Sequence, residues 1–255
     1  MIDLHNHLLI DVDDGPQTNQ DAIELVKQAK EEGVSEIVVT PHHLHTRYNN
    51  PIQKVKEKIQ ELQAIVEFQE SNVRLYHGQE IRITDQMVQD IKNGDIVGIN
   101  DSRYLLIELP TNEVPHYTKN LFYELQTMGY TPIIAHPERN KAISQNLDLL
   151  HDLINGGALS QLTSSSLSGN FGKNTKKVSI QMIENNLTHF IASDAHNHIN
   201  RPFLMKSLIN DKKLKNFQNE INTLMGNAKS VIQDGKISKQ IPTQNYNQKK
   251  WFGLL

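Results

Sequence analysis

The chain contains no cysteine. Disulfides, zinc–thiolate sites and a cysteine nucleophile are therefore excluded, and with the nucleophile goes any thiol-phosphate intermediate. Apolar runs are short. None approaches the roughly eighteen residues that a membrane-spanning helix needs. The opening residues lack a basic segment followed by an apolar core, because His5, His7 and the acids after them interrupt it; the chain is expected to be cytoplasmic. Positive charge is not in excess either. The formal net charge is −3, so no basic field speaks for nucleic acid. No glycine-rich phosphate loop follows a β-rich run, which weakens a nucleotide-binding reading. Internal repeats and low-complexity linkers are also missing. One domain over residues 1–236 is expected, with residues 237–255, polar and then basic-aromatic, as a flexible tail.

What the chain does have is alternation. Short β-rich runs are followed by amphipathic ones at helical spacing. Strands are expected over 1–9, 36–43, 73–81, 102–110, 131–138, 158–165 and 188–196. Helices are expected over 18–33, 51–70, 85–94, 114–129, 146–157, 178–186 and 203–225, with a further turn at 228–233. Thr18 or Asn19 can cap the first helix and Gly33 can stop it; Pro51 opens the second. Seven strand–helix units with Val/Ile-rich strands predict an α/β fold with a parallel sheet, closed or nearly closed into a barrel.

The chain also has twelve histidines, and their placement matters more than their number. His5 and His7 are two apart on a strand, so they share a face and can converge on one ion. An HxH pair alone is weak, since twelve scattered histidines produce roughly half of one by chance. The other strands strengthen it. Near their C-terminal ends lie His42 and His43, Glu80, Glu108, His136 with Arg139, and Asp194 with His196; Asp14 follows the first strand. Barrel active sites form at that rim, and ionisable groups among apolar neighbours are costly unless paired or metal-bound. Nitrogen and oxygen donors rich in carboxylate suit Mn, with Fe, Zn or Mg as alternatives. The surplus of ligands points to two or three ions, with Glu80 or Glu108 bridging. Such a cluster makes hydroxide at neutral pH and clamps a phosphoryl group.

The set His5, His7, Asp14, His42, Glu80, Glu108, His136, Asp194 and His196 resembles the PHP (polymerase and histidinol phosphatase) superfamily. The stretches DLHNHLL, DDGP, TPHH, GQEIRI, IIAHPERN, GNFGK and ASDAHN narrow the resemblance to the tyrosine-protein phosphatases of Gram-positive capsular and exopolysaccharide operons, over about residues 1 to 235. The resemblance implies a distorted (β/α)7 TIM-like barrel holding three ions, usually manganese. It implies His5, His7, Glu80 and Asp194 around one ion, Glu80, Glu108 and His136 around a second, and Asp14, His42 and His196 around a third. Arg139 and Arg201 match the family's phosphate-binding arginines. The implied reaction is attack of a metal-bridging hydroxide on the phosphorus of phosphotyrosine. The implied substrate is a phosphotyrosyl protein, a cognate tyrosine autokinase at the membrane that controls capsule synthesis. The phenol leaving group has an ordinary pKa near 10 and needs little protonation; His42 or a metal-bound water are the candidates for it.

Two other functions compete. One is a PHP phosphoesterase acting on a small molecule such as histidinol phosphate; the other is a metal-bound regulator without catalysis. Other residues read more plainly. His43 and His45 fall in a loop, His198 at the rim, His77 and His189 in or before strands, and His116 and His151 on helices. Tyr48, Tyr104 and Tyr117 fit packing as well as a cleft. The lysines between Lys54 and Lys58 read as a solvated face. The Ser/Gly-rich stretch 164–173 reads as a loop, with Lys173 able to attract an anionic substrate. The terminal QKKWFGLL offers only marginal membrane affinity.

Overall fold

The computed structural model describes residues 1–247. β1 (Ile2–Asp3) leads to α1 (Asn19–Glu31). β2 (Glu36–Val39) and β3 (His42–His43) lead to α2 (Ile52–Gln63) and α3 (Val66–Ser71). β4 (Arg74–His77) and β5 (Glu80–Arg82) lead to α4 (Met87–Asn93), and β6 (Tyr104–Glu108) to α5 (Thr118–Thr127). β7 (Thr131–Ala135) precedes α6 (Lys141–Gln145) and α7 (Asp148–Asn155). β8 (Leu159–Thr163) precedes α8 (Ser164–Ser168) and α9 (Lys173–Glu184). β9 (Phe190–Ala192) precedes α10 (Lys206–Ile209), α11 (Gln218–Gly226) and α12 (Ala228–Ile232).

The named strands all pair in parallel, in the orders β1-β2-β4 and β3-β5-β6-β7-β8-β9. β3 continues β2 and β5 continues β4. The ring closes where Asn6 bridges Ala195: the His7 amide donates to the Ala195 carbonyl at 2.8 Å and the Asp194 amide to that of His5 at 2.7 Å. The fold is thus the expected α/β barrel of seven strand positions, distorted where two strands break. Pro41 has no N–H for the ladder. At Gly78 a Cβ would stand 3.0 Å from Val38 Cγ1 and 3.1 Å from Thr40 Cγ2, so side chains of the neighbouring strand already fill the space that a side chain there would take. The closing seam is polar. Buried Asp3 accepts from the Ser193 amide and hydroxyl at 2.7 Å each and from Asn6 Nδ2 at 3.0 Å.

Side-chain alternation divides the core in two. Val38, Leu106, Ile133, Leu159 and Phe190 point inward and plug the barrel. Ile37, Val39, Leu105, Ile107, Ile134, Leu162 and Ile191 point outward against the helices. α1 shows how a helix is placed. Thr18 caps it through a capping box with Asp21, and Ala22, Ile23, Leu25, Val26 and Ala29 form its buried stripe.

Some boundaries differ from expectation. The helix expected over 51–70 breaks into α2 and α3 at Ile65, whose backbone is extended. The break shifts the helical phase so that Phe68 is buried while Val66 stays 63% exposed. The helix expected over 203–225 is divided by a 3-10 segment, Lys212–Phe217, capped by Asp211. Residues 164–168, expected as loop, form α8. After α12 the chain is tied down by hydrogen bonds from Thr243 to Asn185 and from the Tyr246 hydroxyl to Asp148 at 2.9 Å. QKKWFGLL lies outside the described residues. No helix among the described residues is long and apolar enough to cross a membrane.

Candidate metal centre

The inward faces that plug the barrel turn polar at its C-terminal mouth. Along one face Val38 is followed four residues later by His42, Tyr76 by Glu80, Leu106 after two by Glu108, and Phe190 and Ala192 by Asp194. His136 and Asp194 have left-handed backbones, with φ of 32° and 52°. This conformation is unfavourable for a residue with a Cβ and turns each strand end inward.

The expected residues meet here. His5 Nε2 and His7 Nε2 are 3.3 Å apart, and 3.5 and 3.3 Å from Glu80 Oε2. Asp194 Oδ1 joins them at 3.4 and 3.6 Å. Glu80 faces two ways: Oε2 lies 2.9 Å from His42 Nδ1, while Oε1 accepts from His136 Nε2 at 2.7 Å. Asp14 Oδ1 lies 3.4 Å from His42 Nε2 and 3.3 Å from His196 Nε2. Glu108 Oε2 is 3.8 Å from His42. Three overlapping groups have ligand atoms within 4.8 Å of one another: His7, Asp14, His42 and His196; His5, His7 and Glu80; and His42, Glu80 and Glu108. His136 reaches this cluster through Glu80.

The donor set suits divalent cations. Glu80 Oε2, Asp194 Oδ1, His42 Nδ1 and His196 Nε2 are buried and, for all their closeness, make no hydrogen bond among the described residues. Buried polar atoms are seldom left that way without a partner. Here all of them are metal-ligand types converging on one place.

Charge tightens the mouth. Burial alone would depress the imidazole of His7, but Asp13 lifts it to about 9; His42, against the same penalty, is lifted by Glu80 and Asp14 to about 11. Burial would raise the acids of Glu80 and Asp194, yet His5 and His42 around the first, and Arg201, His5 and Arg139 around the second, hold both well below the usual range. Glu108 is pushed up to about 7 by burial and the neighbouring Glu80. Burial takes His136 and His196 down to about 4.

Both expected arginines face this cluster. Arg139 and Arg201 each donate to Asp194 Oδ2, Arg201 at 2.8 Å, and Arg201 also lies 3.5 Å from Asp14. Arg201 Nε is buried and makes no hydrogen bond among the described residues. Two guanidinium groups with donors to spare, beside a cluster of carboxylates and imidazoles, suit a phosphoryl dianion.

Three supporting residues escaped the sequence reading. Asp13 Oδ2 accepts from His7 Nδ1 at 2.7 Å and from the His42 amide at 3.1 Å. Gln161 Oε1 accepts from His5 Nδ1 at 2.7 Å. These bonds fix the tautomers and turn each Nε2 into the cluster. Arg82 pairs with Glu108 at 3.0 Å. The pleat was the available signal: Arg82 follows Glu80 by two, and Gln161 lies between Leu159 and Thr163 on the inward face. The ring of His45 stacks 4.9 Å from that of His42, with Tyr48 beyond it at 5.9 Å. Other histidines sit elsewhere: His43 is 3.6 Å from Asp90, His77 3.2 Å from Asp101 and His198 3.3 Å from Glu24.

Known proteins share this architecture. A family model for capsular polysaccharide synthesis, CpsB/CapC, matches residues 1–233. The putative tyrosine-protein phosphatase CapC of Staphylococcus aureus is 64% identical over 255 residues, all of both chains. The tyrosine-protein phosphatase YwqE of Bacillus subtilis is 40% identical over 255 residues, again all of both. A crystal structure from a study of YwqE from Bacillus subtilis and CpsB from Streptococcus pneumoniae, described as metal-dependent tyrosine phosphatases, superposes with a TM-score of 0.90 at 40% identity, covering 95% of this chain and 98% of the other.

Proposed function

The chain belongs to the CpsB/CapC family of capsular polysaccharide synthesis, and from that premise we propose that it is a metal-dependent tyrosine-protein phosphatase hydrolysing phosphotyrosine on protein substrates. The observation that carries this reading is the convergence of buried carboxylate oxygens and imidazole nitrogens that make no hydrogen bond among the described residues, Glu80 Oε2, Asp194 Oδ1, His42 Nδ1 and His196 Nε2, beside Arg139 and Arg201. His5, His7, Glu80 and Asp194 would hold one cation, Glu80 and Glu108 with His136 a second, and Asp14, His42 and His196 a third. Manganese suits this carboxylate-rich set best, ahead of Fe, Zn or Mg. When bound, such ions supply hydroxide at neutral pH and draw charge from phosphoryl oxygens.

The remaining work falls to side chains of the chain. Arg139 and Arg201 orient the phosphate dianion and neutralise its equatorial oxygens. Asp194 holds both guanidinium groups in place. Asp13 and Gln161 keep His7 and His5 in the tautomer that aims Nε2 inward. His42 is engaged through both ring nitrogens, which favours a ligand's role over proton donation to the leaving phenolate. With an ordinary pKa near 10, that phenolate departs without a strong acid.

We assign the activity to residues 1–236 and place the protein in the cytoplasm, acting on a tyrosine autokinase at the membrane in capsule synthesis. The test is to strip purified protein with chelator and refill it with Mn, Fe, Zn or Mg in turn. Phosphotyrosyl peptide and histidinol phosphate are then offered. Metal-restored turnover of the peptide far above that of histidinol phosphate is expected. The reverse preference makes the protein a small-molecule phosphatase, and no hydrolysis with any metal makes it a regulator.

A further inference from the structure

Arg139 borders two hollows. One, of about 80 Å³, also touches Glu108 and His136. The other, of about 600 Å³, runs between α6 and α9 past Lys141, Gln145, Phe171, Lys177 and Gln181. This larger groove therefore starts at an arginine of the phosphate site, whose guanidinium carbon lies 5.3 Å from the centre of the Phe171 ring. The ammonium groups of Lys141 and Lys177 are exposed and have no acidic partner among the described residues. The groove's one carboxylate, Glu138, is buried, accepts from the Thr163 amide and makes no ion pair with either lysine among the described residues.

α9 repeats the pattern. Its first turn holds no acid and its N-terminus no side-chain cap, yet Lys173, Lys176 and Lys177 crowd that end. Aligned peptide dipoles already make a helix N-terminus positive, so cations there act against the helix. Lys176 is occupied by the Ser168 carbonyl. Lys173 lines a hollow on the other flank of α9 that shares Lys177 and Gln181 with the groove. In a chain whose net charge is −3, this is a local concentration of positive charge.

We propose that the groove between α6 and α9 docks an acidic segment flanking the phosphotyrosine of a protein substrate; this rests on the phosphatase reading above. The lining on α9 runs from Asn174 to Gln181, about 12 Å of helix, so the groove reads about three or four extended residues beside the phosphorylated one. Lys141 and Lys177 select for Asp and Glu at those places, and Gln145 and Gln181 offer amides to the peptide backbone.

The test uses the full chain loaded with metal, phosphotyrosyl peptides with Glu-rich or Lys-rich flanks, and p-nitrophenyl phosphate, which is too small to reach the groove. The wild type is expected to favour the Glu-flanked peptide in kcat/KM by about tenfold, with salt erasing the preference. The double variant Lys141→Glu/Lys177→Glu should lose that factor through KM and keep the wild-type rate on p-nitrophenyl phosphate. Equal kcat/KM for both peptides in the wild type, or an unchanged preference in the variant, overturns the proposal. Fluorescence anisotropy of the labelled Glu-flanked peptide, with a non-hydrolysable phosphonate in place of the phosphate ester, decides the same point without turnover. Tight binding that the variant loses supports the groove, and binding the variant retains rejects it. If p-nitrophenyl phosphate and both peptides stay intact with every metal, the phosphatase reading fails, and the anisotropy result still judges the groove.

Discussion

The floor and the mouth of this barrel share the same strands and the same inward-facing side, a few ångströms apart. On the floor, Val38, Leu106, Ile133, Leu159 and Phe190 pack against one another. Two to four residues further along, the faces that carry Val38, Leu106, Leu159 and Phe190 present His42, Glu108, Gln161 and Asp194. The pleat supplies the aim and only the residue type changes. The dry floor also strengthens the mouth, because charges above an apolar plug are less screened than charges in water. The floor supplies stability, whereas the mouth gathers groups that repel or bury one another and are held for their chemistry.

The largest effect that separates the two regions is catalytic. Arg139→Ala should cut phosphotyrosine hydrolysis on the order of a thousandfold while moving Tm by only about 2–4 °C, as steady-state kinetics and calorimetry would show. A large fall in Tm with activity retained would reverse the assignment. Phe190→Ala tests the other side. Its cavity should cost about 3–5 kcal/mol in denaturant unfolding and leave kcat unchanged well below the melting transition. A catalytic defect of the Arg139 kind there would blur the division.

Gln161 stands between the two, on the floor's face but bonded to the mouth. Gln161→Leu keeps the shape and removes the acceptor of the His5 Nδ1 proton. Metal affinity should fall about 10–100-fold in equilibrium dialysis, with little loss of stability; unchanged affinity would make Gln161 mere packing. The smallest effect is protonic. In chelator-stripped protein His7 and His42 titrate at about 9 and about 11, so both are protonated at neutral pH, whereas a metal ligand must be neutral. Calorimetry in two buffers of different ionisation enthalpy should detect release of roughly two protons when manganese binds, and affinity should rise with pH. Both values exceed the reference value of 6.5, so in stripped protein these histidines stabilise the fold fully below pH 6.5, and that contribution is lost as pH climbs through 9 towards 11. Binding with no proton release would contradict their place in the cluster.

The residues of the mouth were legible because strand ends in a parallel barrel share one rim, and His, Asp and Glu among Val and Ile stand out. Arg82, Asp13 and Gln161 were not, because their roles depend on a partner distant in sequence or across a turn. Gln161 acts on His5, at the far end of the chain. His136 shows a second limit: its left-handed backbone breaks the alternation that runs through Ile133 and Ala135, and no local pattern announces that turn. The break at Ile65 is a third, since the stripe from Ile52 to Leu62 reads as one continuous helix until Phe68 competes with Val66 for the core.

The most direct measurement is anomalous X-ray scattering at the manganese edge from crystals of the manganese-loaded protein. Peaks are predicted within the mouth, between His5, His7, Glu80 and Asp194, beside Glu108, and among Asp14, His42 and His196. A fully loaded crystal with no peak among those side chains, or with its only peaks elsewhere on the molecule, would contradict the account.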